Sequence, residues 1–170
     1  MLTKIAIQDL IKKQRLIEGF IDLETQATPN GIDLTAEKVF SFAGPGAVDF
    51  SNKERVLPQI KELAPVKKDP QDTHGWWKLA PGAYKVRTNE TVNLPNNLTA
   101  IAFTRTSLLR MGAFCANGVW DAGFCGKSEF LLTVVNPAGI ELKQNARVIQ
   151  LVFFPVEATD SYNGIYKGLK

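Results

Sequence analysis

The amino-acid sequence predicts a mainly β protein, a distorted jelly roll or β-barrel with one short helix at its start. Turn signals recur along the chain, and they include Pro29-Asn30-Gly31, Gly44-Pro45-Gly46, Pro81-Gly82, Asn117-Gly118 and Pro137-Ala138-Gly139. The runs between these turns have strand length and are rich in β-branched and aromatic residues. Many short strands with one small helix are typical of double-sheet or barrel folds. The 170 residues fit one domain, 1–170.

The predicted helix lies near the beginning of the chain. Ile7, Leu10 and Ile11 fall at helical spacing, and polar residues lie on the opposite side. This pattern predicts an amphipathic helix at about residues 4–14, ending near Gly19. Residues 1–20 would then form a helical lead-in to the β domain.

The predicted strands are of two kinds. Residues 83–88 and the stretch around 92–98 alternate between apolar and polar side chains, as half-buried strands do. Residues 98–103, 130–135 and 147–156 are nearly continuous apolar runs, which predicts strands covered on both faces.

One stretch interrupts this rhythm of short strands. Residues 64–78 are mostly polar and contain two prolines, which predicts a long surface loop. The loop runs into Trp76 and Trp77, and we expect these side chains to pack it back onto the body of the protein.

Composition and charge exclude several classes of protein. The net charge of +3 gives no reason to expect a nucleic acid or a membrane as partner. No apolar run approaches about 18 residues and no charged-then-apolar leader opens the chain, so we expect a soluble, cytoplasmic protein. With His74 the only histidine, Cys115 and Cys125 cannot complete the zinc site of a nucleobase deaminase. A Walker loop and a nucleophile elbow are also absent from the sequence.

A cluster of hydrogen-bond donors follows the run at 98–103. Arg105, Thr106, Ser107 and Arg110 could bind phosphate oxygens through hydroxyl, backbone and guanidinium groups. The alternative is a helix start, with Thr106 or Ser107 as the N-cap and two solvated arginines. From the residues alone, both interpretations stand.

A lone carboxylate follows in a glycine-rich turn. Asp121 lies between Gly118 and Gly123, which give the backbone the freedom to approach a planar ring, and Phe124 offers an apolar face to a sugar. The simpler interpretation is a turn aspartate that hydrogen-bonds its own backbone. The functional interpretation is an acid that activates water beside a bound polyphosphate.

Taken together, these motifs resemble the dUTPase/dCTP deaminase superfamily over almost the whole length of the chain. The segments that carry the resemblance stand in the family's order and are Pro29–Leu34, Leu79–Leu98, Arg105–Arg110, Gly118–Gly126, Asn145–Leu151 and Tyr162–Gly168. The resemblance implies a jelly-roll homotrimer with active sites between subunits. It also implies a Mg²⁺ ion bound mainly through the phosphates of the nucleotide substrate.

The resemblance assigns a role to each candidate residue. Asp121 would orient the attacking water or the 3′-hydroxyl, and Phe124 would pack on the deoxyribose. The triphosphate would be held by Arg105, Thr106, Ser107 and Arg110, with help from Gln150. Tyr162 and Lys167 would close over the substrate from the tail, residues 160–170. Asp33 would serve either as motif scaffolding or as a water-mediated contact to magnesium.

The choice between the two chemistries of the superfamily depends on one carboxylate. Deaminases of the family carry a glutamate at the position that here is Leu131. The segment 126–136 is two residues longer than its counterpart in those deaminases, and an alignment that allows for this difference places Thr133 there instead. Neither side chain transfers a proton as a carboxylate does. Glu129 would point to the same face about 7 Å away, beyond hydrogen-bond reach unless a bulge intervenes. The length of the segment 126–136 and the sequence of residues 119–124 resemble the archaeal-type dUTPase branch.

Three hypotheses follow. The first is a dUTP diphosphatase that releases dUMP and pyrophosphate, in which backbone groups of Gly118 and Val119 select uracil. This activity would keep uracil out of DNA and supply dUMP for thymidylate synthesis. The second is a dCTP deaminase, or a bifunctional deaminase and diphosphatase, that recruits Glu129 through a bulge. The third is a nucleotide-binding module without turnover.

Overall fold

A computed structural model describes residues 1–169, so Lys170, the last residue of the predicted tail, lies outside the described residues. Helix α1 spans Lys4–Gln14, as predicted, and buries Ile7 and Ile11. It ends because Arg15 adopts a left-handed conformation (φ 55°), so the predicted end near Gly19 is wrong. A second short helix, α2 (Leu23–Gln26), was not predicted; the Asp22 side chain caps it by accepting a hydrogen bond from the Glu24 N–H at 3.0 Å.

Strands dominate the rest of residues 1–169. They are β1 (Ile17–Glu18), β2 (Ala27–Thr28), β3 (Gly31–Phe42), β4 (Ile60–Leu63), β5 (Trp76–Leu79), β6 (Gly82–Asn93), β7 (Leu98–Thr104), β8 (Ala113–Ala116), β9 (Cys125–Val134), β10 (Ile140–Lys143) and β11 (Arg147–Pro155). A third helix, α3 (Thr106–Arg110), connects β7 to β8.

The strands form a nearly closed antiparallel sheet. Its main path is β7-β11-β3-β6-β9-β8, with β1, β2 and β4 added alongside, while β5 and β10 form a separate pair. The two ends of the path meet where Ala100 of β7 bridges Trp120 and where the Thr104 hydroxyl accepts a hydrogen bond from the Cys115 N–H at 2.8 Å. The predicted mainly β, barrel-like fold is therefore confirmed.

The strand β9 shows where the sequence pattern was misread. Its even-numbered residues, including Phe130 and Leu132, face the core, whereas Lys127, Glu129 and Leu131 are partly exposed. The prediction that 130–135 is covered on both faces is wrong, because in this antiparallel sheet only one face of the strand packs on the core. The run at 147–156 is closer to the prediction, since most of β11 is buried.

Loops differ from the prediction in one place and agree in another. The stretch around 92–98 is not one strand, because β6 ends at Asn93 and a turn precedes β7. The loop before β5 is held by Trp77, which is buried and donates a hydrogen bond from Nε1 to the Leu63 carbonyl at 2.7 Å. Trp76 lies under the Lys68 ammonium at 4.2 Å, so both tryptophans tie down the loop as predicted.

A buried carboxylate fixes the middle of the sheet. Glu90 lies within an irregular part of β6, between Arg87 and Thr91, and its side chain is fully buried. It accepts hydrogen bonds from Gln26 Nε2 (2.7 Å), the Thr35 N–H (2.9 Å) and the Thr35 hydroxyl (2.6 Å). Burial raises the pKa of Glu90, and these donors partly oppose the rise.

No helix among the described residues is long and apolar enough to cross a membrane.

Candidate functional site

The first part of the candidate site lies at the end of β7. Arg105, not Thr106 or Ser107, is the N-cap residue of α3, and no side-chain hydrogen bond caps this helix in the described chain. The predicted capping role is therefore wrong. The hydroxyls of Thr106 and Ser107 lie on the exposed surface together with the Arg110 guanidinium, while Leu108 anchors the helix in the core. These groups are accessible to an anionic ligand.

Asp33 holds Arg105 in place. The Asp33 side chain is only 3% exposed, and its Oδ2 lies 2.8 Å from Arg105 Nε and 3.2 Å from Arg147 Nη1. Burial raises the pKa of Asp33, and the two guanidinium groups oppose this effect. Asp33 thus orients two arginines from within the sheet. The geometry is that of a scaffolding residue.

Gln150 lies directly across from Asp33 in the pairing of β11 with β3. Its amide nitrogen donates a hydrogen bond to the Thr28 hydroxyl of β2. Gln150 therefore lies across from the residue that binds Arg105 and Arg147, but its own side chain is engaged with the neighbouring strand β2.

The second part of the candidate site is the loop between β8 and β9. Trp120 anchors this loop, because its ring is buried and Nε1 donates a hydrogen bond to the Ser128 hydroxyl at 2.8 Å. Gly118 and Val119 remain exposed just before the anchor, and Asp121 is exposed just after it. A turn follows in which the Phe124 N–H bonds the Asp121 carbonyl at 3.1 Å and Gly123 adopts φ 77°, which favours glycine.

The Asp121 carboxylate itself points to solvent without a partner. Across residues 1–169, no hydrogen bond or ion pair engages its oxygens. The turn-aspartate interpretation, which requires such a bond to the backbone, is not supported. The Asp121 carboxylate is therefore accessible to a ligand.

A cavity of about 540 Å³ opens beside this loop, a size suited to a small ligand such as a nucleoside. Gly118, Val119 and Phe124 line it. The tail contributes Tyr162, whose N–H bonds the Ala122 carbonyl at 2.8 Å and whose ring centroid lies 5.7 Å from that of Phe124. Lys167 does not line the cavity; its ammonium lies on the exposed surface, 3.5 Å from the Ser161 hydroxyl.

The two parts of the site are separated within one chain. Trp120 pairs with Ala100 near the start of β7, whereas Arg105 follows the end of that strand. Five residues of extended strand span about 16 Å. The arginine and hydroxyl cluster is also absent from the walls of the cavity. The chain therefore presents a cavity, with Asp121 directly after the wall residue Trp120, at one place and a cluster of exposed guanidinium and hydroxyl groups at another.

Of the two positions at which the resemblance places a deaminase's glutamate, Leu131 lies in the cavity wall and Thr133 does not. Leu131 and Glu129 both line the cavity, and they occupy the same face of β9, as the strand alternation predicts. The irregularity in this region belongs to the partner strand β6, not to β9. Glu129 Oε2 lies 2.8 Å from Lys85 Nζ, so its carboxylate is already paired.

Sequence reasoning missed several residues of the cavity. Lys85, Lys127 and Tyr166 also line it. Lys85 could have been found from alternation along β6, but only the register shows that it lies across from Leu131. Distant sequence positions come together there through strand pairing.

Comparison with known proteins places this architecture among related chains. A family model described as "dCTP deaminase-like" matches residues 1–156. A protein of Methanosarcina mazei named probable deoxyuridine 5'-triphosphate nucleotidohydrolase is 46% identical over 98% of this chain and 96% of its own length. Proteins with that function in their names from Archaeoglobus fulgidus and Methanocaldococcus jannaschii are 44% and 40% identical, over 95% and 85% of this chain and 92% and 89% of their own lengths.

The fold also matches a solved structure. The crystal structure of 2'-deoxycytidine 5'-triphosphate deaminase from Agrobacterium tumefaciens superposes with a TM-score of 0.61 at 20% identity. The match covers 89% of this chain and 46% of that one, and it supports the fold alone.

Proposed function

The chain belongs to the dCTP deaminase-like family, and we propose that it hydrolyses dUTP to dUMP and pyrophosphate. The observation that carries this proposal is a nucleoside-sized cavity whose wall carries Leu131, at one of the two positions where the resemblance would place a deaminase's acid, with the unpartnered carboxylate of Asp121 directly after the wall residue Trp120. The relatives named as dUTP nucleotidohydrolases support the same conclusion.

The arginine and hydroxyl cluster would bind the triphosphate. Thr106, Ser107 and Arg110 are exposed at α3, and Arg105 is held by Asp33. A guanidinium fixed in this way binds an anion without first losing its own freedom of rotation. Arg105 and Arg110 would also stabilise the negative charge that develops on the departing pyrophosphate.

The cavity would bind the deoxyuridine part of the substrate. Backbone groups of Gly118 and Val119 would contact the uracil, and Phe124 with Tyr162 would enclose the sugar. Asp121 would orient a water and accept its proton as the water oxygen bonds to the α-phosphorus. The bond from the α-phosphorus to the bridging oxygen then breaks, and pyrophosphate leaves.

The residues present fit magnesium that is bound through the substrate. Among residues 1–169, no three histidine, cysteine, aspartate or glutamate side chains gather closely enough to hold a metal ion. Asp33 is committed to two arginines. Phosphate oxygens of dUTP would therefore be the main ligands, with Arg105 and Ser107 positioning the phosphates. Bound there, magnesium supplies neutralisation of charge on the phosphates.

Completion of the site would require more than one copy of the chain. Because the arginine and hydroxyl cluster does not line the cavity, and Arg105 lies about 16 Å along β7 from Ala100, which bridges the wall residue Trp120, we propose that neighbouring subunits join them. A cyclic homotrimer achieves this by placing the cluster of one subunit against the cavity of the next. Lys167 would act across that boundary.

The direct test is to incubate the purified protein with dUTP or dCTP in the presence of magnesium. We expect pyrophosphate and dUMP from dUTP, and no ammonia from dCTP. Ammonia release from dCTP, or intact dUTP after prolonged incubation, would refute the proposal.

One observation favours the bifunctional alternative, namely that Glu129 lines the cavity two residues from Leu131. If Glu129 served as the acid of a deaminase, the Glu129→Gln variant would lose a dCTP deamination that the unmodified protein shows. The pairing of Glu129 with Lys85 opposes this role, because Glu129 Oε2 is already engaged by Lys85 Nζ at 2.8 Å.

A further inference from the structure

A charged pair lies in the largely apolar wall of the cavity, which also contains Lys127, itself bound to Glu37 at 2.6 Å. Lys85 of β6 is directly across from Leu131 of β9. Glu129 lies two residues before Leu131 in β9, so it is on the same face of that strand. Both charged side chains line the cavity together with Gly118 and Val119. Their side chains are 23% and 22% exposed, so both are largely withdrawn from solvent.

The Lys85 ammonium is held in a fixed position. Its Nζ lies 2.8 Å from Glu129 Oε2 and 4.9 Å from the centroid of the Phe40 ring. An ammonium has three N–H donors, and the carboxylate takes one of them. The ring attracts the charge without using a conventional acceptor. Lys85 therefore retains donor capacity toward a ligand in the cavity, and a normally flexible side chain is already ordered there.

We infer that Lys85 determines which pyrimidine the cavity accepts, by donating a hydrogen bond to the oxygen at C4 of uracil. This inference rests on the proposed function and identifies a specificity-determining residue within it. Cytosine carries an amino group at C4, which would place N–H donors against the N–H donors of Lys85. A polar site built for one partner discriminates strongly against an analogue that leaves its groups unpaired.

Glu129 has two consequences for this selection. It anchors Lys85, and the ammonium in turn occupies the carboxylate. Without Lys85, the carboxylate of Glu129 would be available to accept a hydrogen bond from the amino group of cytosine. Removal of Lys85 should therefore weaken the binding of dUTP and strengthen the binding of dCTP at the same time.

The test compares pyrophosphate release from dUTP and from dCTP by the Lys85→Met variant. Methionine preserves the length and the apolar stem of lysine but removes the donors. We expect the ratio of kcat/KM for dUTP to that for dCTP to fall about 10- to 100-fold. The matched control is Lys38→Met, since Lys38 pairs with Glu62 at 2.9 Å on the same sheet but outside the cavity. Its ratio should stay unchanged.

A binding measurement separates this inference from the proposed function. Calorimetric titration with dUMP and with dCMP needs no turnover, so it reports selectivity even if hydrolysis is absent. We expect the preference for dUMP to be lost in Lys85→Met and kept in Lys85→Arg, which retains donors. Failure of the unmodified protein to hydrolyse dUTP would refute only the proposed function. An unchanged dUMP preference in a folded Lys85→Met variant, checked by circular dichroism, would overturn the inference. If that variant does not fold, Lys85→Leu, which also removes the donors, provides the same comparison.

Discussion

Asp121 and Asp33 are two aspartates with opposite surroundings. Asp33 is buried, and its Oδ2 is engaged with two arginines and fixes their positions. Asp121 is exposed in the turn directly after Trp120, which lines the cavity, and no group within residues 1–169 engages the Asp121 oxygens. A proton acceptor must be free and close to the reacting water. Of these two residues, only Asp121 is free of a partner among residues 1–169.

We predict that Asp121→Asn lowers kcat for dUTP hydrolysis by about 10²- to 10⁴-fold and changes KM little. Asparagine has the same shape but cannot accept the proton. Since the side chain makes no contact that supports the fold, the free energy of unfolding should change by less than about 0.5 kcal/mol. Steady-state kinetics and urea unfolding measure the two effects.

The control for this prediction is Asp69→Asn in the exposed loop before β5. It makes the same chemical change far from the cavity, so its kcat should equal that of the unmodified protein. If Asp121→Asn retained full kcat, Asp121 would not be the base.

At the scale of secondary-structure elements, the irregularity in β6 is fixed by Glu90. This residue joins α2, β3 and β6 through three hydrogen bonds. Gln26 also donates to the backbone carbonyl of Asp33 at 2.9 Å, so the Glu90 cluster continues to the residue that positions Arg105. Through Asp33, the ion pair that positions Arg105 is thereby connected to the hydrogen bonds around Glu90 at the centre of the sheet.

The pH dependence of stability should report this buried carboxylate. Burial raises the pKa of Glu90, so the folded state binds this proton more tightly than the unfolded chain does. Its contribution to the free energy of unfolding must then fall as pH rises from the ordinary glutamate pKa to the raised one. The difference between the unmodified protein and Glu90→Gln, measured by urea unfolding, should shrink across that interval and then level off. A difference that grows with pH would contradict this.

Local sequence patterns predicted which elements form better than they predicted where the elements end and which of their faces are buried. The spacing of Ile7 and Ile11 identified α1, and turn residues located most strands. The helix end was misplaced because Arg15, rather than glycine, takes the left-handed conformation. The α2 helix was missed because four residues are too few to show a helical period. An apolar run in β9 was misread because the sequence does not reveal which faces are covered.

At the scale of the whole molecule, the candidate site is divided. The motifs at 105–110 and at 118–126 are close in sequence, yet Ala100, which bridges Trp120, and Arg105 lie about 16 Å apart along β7. Sequence reasoning named both motifs but could not measure this separation, which depends on strand pairing. The same limit applies to Lys85, which reaches the cavity only through its register with Leu131.

Mixing two inactive variants tests whether neighbouring subunits share a site. Asp121→Asn disables the cavity side, and the double variant Ser107→Ala with Arg110→Ala disables the exposed anion-binding side. After joint unfolding and refolding in equal amounts, about a quarter of the sites in random cyclic assemblies should contain both intact halves. We therefore expect about a quarter of the original dUTPase activity to return. If the mixture remained inactive, each site would belong to a single chain.

The central claim, attack by water on the α-phosphorus of dUTP, is tested most directly by hydrolysis in ¹⁸O-labelled water. Mass spectrometry then identifies which product carries the new oxygen. The account predicts one ¹⁸O atom in dUMP and none in pyrophosphate. Label in pyrophosphate, or the absence of hydrolysis, would contradict it.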